Sequence, residues 1–139
     1  MTGHIDPTRE AFGQFRGMDS DGPIHMLNLV RLRDVAAYED GREGVSGREA
    51  YKAYGRESGP IFSRVGGRIA WSGNFRMMLI GPTDERWDLC FIAEYPSRDA
   101  FVEMIKDPEY QKAVKHRQAA VLDSRLIRLD PKPVGKGFG

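Results

Sequence analysis

The stretch Trp87–Pro96, WDLCFIAEYP, constrains this chain more than any other. It reads as a β-strand ended by Pro96-Ser97. A strand with one wet face alternates apolar and polar residues, and this one does not. Leu89, Phe91, Ala93 and Tyr95 make one row; Cys90 and Ile92, flanked by Asp88 and Glu94, make the other. The middle of both rows is apolar, so both faces of the sheet that holds it need cover.

The rest of the chain supplies one of those covers. Asp6-Pro7 reads as a helix start, an acceptor followed by proline at the first helical position. Phe12, Phe15 and Met18 give that short helix its apolar stripe, and the run 19–23 breaks it. His25–Arg33 reads as the first strand, with Met26, Asn28, Val30 and Leu32 on one face and Leu27, Leu29, Arg31 and Arg33 on the other. Ser46-Gly-Arg-Glu49 is a capping box. The helix it opens carries Tyr51, Tyr54, Ser58, Ile61, Phe62 and Val65 inward, with a kink or restart at Gly59-Pro60 and a left-handed stop at Gly66-Gly67. Arg68–Gly81 reads as a long strand with a bulge or bend at Gly73-Asn74, joined by residues 82–86 to the central strand. Ser97 caps the next helix, and Asp107-Pro108 restarts it. Its continuation carries Tyr110, Ala113, Val114, Arg117 and Val121 on one stripe. Ser124–Leu129 is the last strand.

The order is therefore an extra N-terminal helix followed by β-α-β-β-α-β, the ferredoxin-like pattern: an α+β fold with a four-stranded antiparallel sheet and both helices on one face. Residues 1–23 are the helix and lead-in, 24–131 the ferredoxin-like domain, and 132–139 a tail expected to be mobile. The second apolar face of the sheet is too large to leave bare in a soluble monomer. The simplest cover is the same face of a second copy, giving an isologous homodimer of dimeric α+β barrel type.

Composition removes several function classes. With 21 basic and 20 acidic residues the net charge is +1, so no basic field points to nucleic acid or an anionic membrane. No apolar run approaches the roughly 18 residues of a membrane span, and no signal peptide is expected. A single cysteine, Cys90, excludes an internal disulfide and suits a reducing cytoplasm. The three histidines, His4, His25 and His116, lack metal-ligand spacing, so neither metal nor other cofactor is expected. There is no phosphate loop and no nucleophile elbow.

Five residues are candidates for a site. Arg117 lies on a helical stripe that should face the sheet, where a guanidinium needs an internal partner or an anionic ligand. Asn28 is a polar residue inside an apolar strand, satisfied within the core or by a ligand. Tyr51 and Tyr54 present polar tips from the first long helix, as core or as pocket lining. His116 sits beside Arg117, one position off the stripe, and is the candidate acid/base. In a ferredoxin-like fold both inner helix faces cover the same side of the sheet. Asn28, Tyr51, Tyr54 and Arg117 are thus expected to converge on one cavity, with His116 at its edge.

The segments MLNLVRLRD (26–34), REAYKAYGRESGPIFSRVGGRIAWSG (48–73), LIGPTDERWD (79–88), EYPSRDAFVEM (94–104) and DPEYQKAVKHRQAAVLDSRLI (107–127) together resemble the DUF1330 family. The resemblance implies the dimeric α+β barrel superfamily and brings no established activity. That superfamily includes cofactor-free monooxygenases, haem-degrading oxygenases and small isomerases with pockets between sheet and helices. By analogy with the haem-degrading members, Asn28, Trp71 or Trp87, and His116 would form a catalytic set. The expected function is a pocket for a small, partly apolar, anionic molecule. The enzyme reading is a metal-free oxygenase or isomerase; the alternatives are a non-catalytic binder or sensor, and a purely structural dimer.

Overall fold

The computed structural model describes residues 3–19, 21–135 and 137–138. Its elements run α1 (Arg9–Gly17), β1 (Ile24–Leu32), α2 (Gly47–Arg64), β2 (Arg68–Gly73), β3 (Leu89–Tyr95), α3 (Arg98–Lys106), α4 (Pro108–Ala120) and β4 (Val121–Leu129). The sheet order is β2-β3-β1-β4, antiparallel throughout. This is the ferredoxin-like arrangement, with the second helix split into α3 and α4 and α1 added in front.

The register assigns the two faces. Met26 pairs with Ala93, Asn28 with Phe91 and Val30 with Leu89, and Val30 faces Ser124 on the other side. These rows meet the helices. Ile24, Met26, Ala93, Tyr95, Phe101, Met104 and Tyr110 form one buried cluster, and Val30, Ala50, Ala119, Ala120 and Val121 a second. The opposite rows pair Leu27 with Ile92 and Ile127, and Leu29 with Cys90 and Arg125. Trp71, opposite Ile92, and Ile127 and Leu129 are exposed on that face. Leu27, Leu29, Cys90 and Ile92 between them are only partly buried. Asp88 extends β3 by donating its N–H to the Val30 carbonyl at 2.7 Å, while its carboxylate accepts from Leu32 N at 2.7 Å.

Several boundaries differ from the sequence reading, each for a local reason. α1 starts after Thr8, whose hydroxyl accepts from Ala11 N, not at Asp6-Pro7. Residues 4–6 are instead drawn down by bonds to β4 and α4. Ser46 caps α2 as the motif predicts, accepting from Glu49 N at 3.0 Å. The helix then runs through Pro60 without a restart. Proline within a helix costs about 3 kcal/mol, offset here because the turn beyond it buries Ile61 and Val65. The long strand expected over 68–81 ends at Gly73. Gly73 pairs with Cys90, near the start of β3, so residues 74–80 have no ladder partner among the described residues. The irregularity in β2 falls between Ile69 and Trp71 instead. β4 begins at Val121, which leaves the helical stripe and is fully buried as the first strand residue. Ser20, within the expected break, and Lys136 and Gly139, within the expected tail, lie outside the described residues.

Candidate functional site

Between the helices and their side of the sheet lies a cavity of about 1310 Å³. Met26, Asn28, Phe91 and Ala93 form its floor, α2 and α4 its walls, and residues 4–15 much of its roof. Gly55 and Gly59 stand one helical turn apart on the α2 wall, and a Cβ at either would meet only open space. Glycine inside a helix costs about 1 kcal/mol relative to alanine; here it widens the cleft.

Four of the five candidate residues line this cavity: Asn28, Tyr51, Tyr54 and Arg117. Asn28 donates through Nδ2 to the Met26 carbonyl at 3.0 Å, which fixes the amide's orientation. Its Oδ1 has no donor among the described residues. Tyr51 and Tyr54 pack ring to ring at 5.4 Å. The Tyr54 hydroxyl hydrogen-bonds that of Tyr110 at 2.8 Å. Burial pushes all three phenols well above their ordinary pKa, and the Arg117 guanidinium opposes that shift without cancelling it. The phenols therefore stay neutral near pH 7 and act as hydrogen-bond groups, not bases.

Arg117 is 12% exposed at its side chain. One guanidinium nitrogen donates to the Ile5 carbonyl and the other to Ser124 Oγ at 3.3 Å. The Asp6 carboxylate stands 3.9 Å away. A guanidinium has five N–H donors, so the chain leaves part of this one unused.

His116 does not line the cavity. Its Nδ1 bonds the Tyr38 hydroxyl at 2.6 Å and its Nε2 the Glu57 carboxylate at 2.8 Å, on the outer side of α2 and α4. Nor do the residues of the haem-degrading analogy assemble. Trp71 is on the opposite sheet face from Asn28. Trp87 is buried beneath the Arg125 guanidinium, 5.3 Å from its ring, and is not among the cavity's lining residues.

Several lining residues escape the sequence reading, among them His4, Tyr110 and Arg128. Tyr110 shows in the sequence only as one member of the α4 stripe. Arg128 faces Met26 across the β1–β4 ladder, on the helix side. Its signal is parity, since it lies four residues after Ser124 on an alternating strand. Its guanidinium reaches Asp130 and the Asp19 carbonyl, both at 3.2 Å, while its second terminal nitrogen, shielded from water, has no partner among the described residues. Arg9, Arg117, Arg125 and Arg128 reach the cavity's lining together with Asp6; of these, Arg125 is ion-paired to Asp123 and Arg128 to Asp130. Among those residues no group of three or more His, Cys, Asp or Glu is placed to hold a metal ion, and no helix is long and apolar enough to cross a membrane.

A ferredoxin-like α+β chain with an arginine-rimmed cleft under its helices is the class this geometry defines. The chain belongs to the DUF1330 family, a domain of unknown function, whose model matches residues 36–128. It is 69% identical to RPA0582 of Rhodopseudomonas palustris, a protein of unknown function. One crystal structure of that protein covers 95% of this chain and 100% of its own with a TM-score of 0.90. The methylated form covers 98% and 100%, with a TM-score of 0.94. SnoaB, a cofactor-independent oxygenase from Streptomyces nogalater, shares the fold at 15% identity, covering 81% of this chain and 96% of its own with a TM-score of 0.50. No curated protein matches the chain.

Proposed function

We propose that this protein is a homodimer that binds a small, partly apolar anion in the cleft between sheet and helices. The observation that carries the reading is the largely buried Arg117 guanidinium in an otherwise apolar and phenolic cavity, held by a carbonyl and a hydroxyl and with donors not taken up by the chain. Arg117 would orient the anion, the Tyr51 hydroxyl would donate to it, Asn28 Oδ1 would accept from a donor elsewhere on the molecule, and the aromatic walls would hold its apolar part. Binding is favoured over acid/base catalysis because the cavity's phenols are pushed up in pKa, His116 lies outside it, and the imidazole of the lining His4 has no hydrogen-bond partner among the described residues to orient it for proton transfer. The dimer rests on the partly exposed apolar sheet face. The half-buried Cys90, its thiol pushed up by burial, suits a reducing cytoplasm.

Calorimetry with 2-naphthoate and its neutral analogue 2-naphthamide tests the site. The carboxylate is expected to bind at least about tenfold tighter, a difference of ~1.4 kcal/mol. Arg117→Met should erase that preference and Arg117→Lys should keep part of it. Equal binding of the two probes, or a preference that survives Arg117→Met, refutes the assignment.

A further inference from the structure

The connection between β2 and β3 leaves an unusual surface. Residues 74–88 carry no regular helix or strand. Within them Met77, Leu79 and Ile80 are 66%, 82% and 90% exposed. The segment is not a frayed end. Its base is fixed at Gly73, paired with Cys90, and at Trp87–Asp88, where Trp87 is buried and Asp88 bonds both Val30 and Leu32. Its tip is shaped as well. Gly81 has φ +144°, and a Cβ there would meet the Met78 sulfur at 2.6 Å, so the Met78 side chain folds back on the turn. Glu85 N closes a further turn on the Pro82 carbonyl at 3.2 Å. The chain therefore holds Leu79 and Ile80 outward from a constrained loop.

The segment leads directly out of an edge strand of the sheet. It leaves β2 two residues after Trp71, which stands 53% exposed on the sheet face opposite the helices. In a sheet-face dimer whose two-fold axis runs along the strands, β2 of one copy would lie over β4 of the other, where Ile127 and Leu129 are also exposed. Three apolar side chains this exposed amount to roughly 400 Å², on the order of half the ~800 Å² per partner that a stable interface buries.

We infer that residues 74–82 form an arm that docks Met77, Leu79 and Ile80 onto a second copy of this chain, beside the β4 edge of its sheet. The inference rests on the sheet-face dimer proposed above and adds the arm as its clasp.

Sedimentation over a concentration series, on the full chain and on Leu79→Ser/Ile80→Ser, separates the two ideas. Both substitutions are at exposed positions, so the variant should keep the wild-type circular dichroism. The wild type is expected to be a dimer, and the variant to have a dimer dissociation constant at least about 30-fold higher. A wild type that stays monomeric at about 50 µM, where an interface of standard size should be occupied, overturns both readings. A wild-type dimer with an unchanged constant in the variant overturns the arm and leaves the sheet-face dimer standing. Hydrogen exchange supplies a readout that needs no variant. Amides 76–81 should be protected in the concentrated protein and lose protection on dilution; exchange at unprotected rates in both conditions overturns the arm.

Discussion

Replacing Phe15 by alanine tests whether α1 is a separable cover for the cavity. No residue of α1 is buried. Its hold on the domain is narrow: Phe12 and Phe15 pack against the first core cluster, and Arg98 donates to the Arg16 and Met18 carbonyls. Phe15 makes the most specific of these contacts, an edge-on approach to Phe101 at 5.2 Å with the Arg128 guanidinium 5.8 Å from its ring. Removing a fully buried phenylalanine costs about 3–5 kcal/mol. Phe15 is half-buried against one side only, so about 2 kcal/mol is the expected loss. Because Phe15 ties down α1 alone, the cost should appear as local opening and not as global unfolding. About 2 kcal/mol corresponds to about a 30-fold larger open population. Hydrogen exchange read by mass spectrometry should show α1 amides exchanging about 30-fold faster, with β1 and β3 within about twofold of wild type. If β1 and β3 accelerate as much as α1, the helix belongs to the core's cooperative unit and the reasoning fails.

Gly47→Ala should be severe, because a Cβ there would lie 1.9 Å from the Arg33 carbonyl oxygen, a backbone atom; a loss on the order of 3 kcal/mol and a fall in Tm on the order of 10 °C are expected by thermal denaturation. All five tyrosines have pKa values raised by burial, so their contribution to stability is full below the ordinary value near 10 and is lost as pH rises through the raised folded values. Ultraviolet titration at about pH 10 should therefore show little phenolate in the folded protein and about half of the tyrosines ionised in urea; equal ionisation in the two would refute the burial argument.

The fold is legible because its signals are local and repeated. The two apolar rows of 87–96 require cover on both faces, and the caps at Ser46, Ser97 and Asp107 mark three helix starts that the structure keeps. What the sequence hides depends on partners. The run 74–80 has strand-like composition, yet no described strand lies opposite it, because β3 begins at the level of Gly73. Pro60 resembles a break because its local cost is visible in the sequence and the burial of Ile61 and Val65 beyond it is not. His116 resembles an acid/base beside Arg117 only while neighbours in sequence are taken for neighbours in space. On a helix, consecutive residues point about 100° apart, and that rotation carries His116 to Tyr38 and Glu57 while Arg117 turns toward the cavity.

The two readings of Arg117, internal partner and anion receiver, are compatible. The chain does partner this guanidinium internally, but only in part and mostly with neutral groups: the Ile5 carbonyl and the Ser124 hydroxyl, which itself donates to the His4 carbonyl at 2.6 Å. The Asp6 carboxylate, 3.9 Å away, is half exposed, too loose to neutralise a buried cation as a bidentate pair would. Arg117 thus holds the segment that roofs the cavity while keeping charge to spare for what enters it. A carboxylate arriving from the cavity would meet donors aimed from α4 and would compete mainly with Asp6. The same contact that seats the roof would then couple roof and ligand, since each bond gained by an anion bears on the guanidinium that ties down residues 5 and 6. On that argument 2-naphthoate should alter the exchange of residues 4–15 and 2-naphthamide should not, and an identical response to both would separate the roof from the charge.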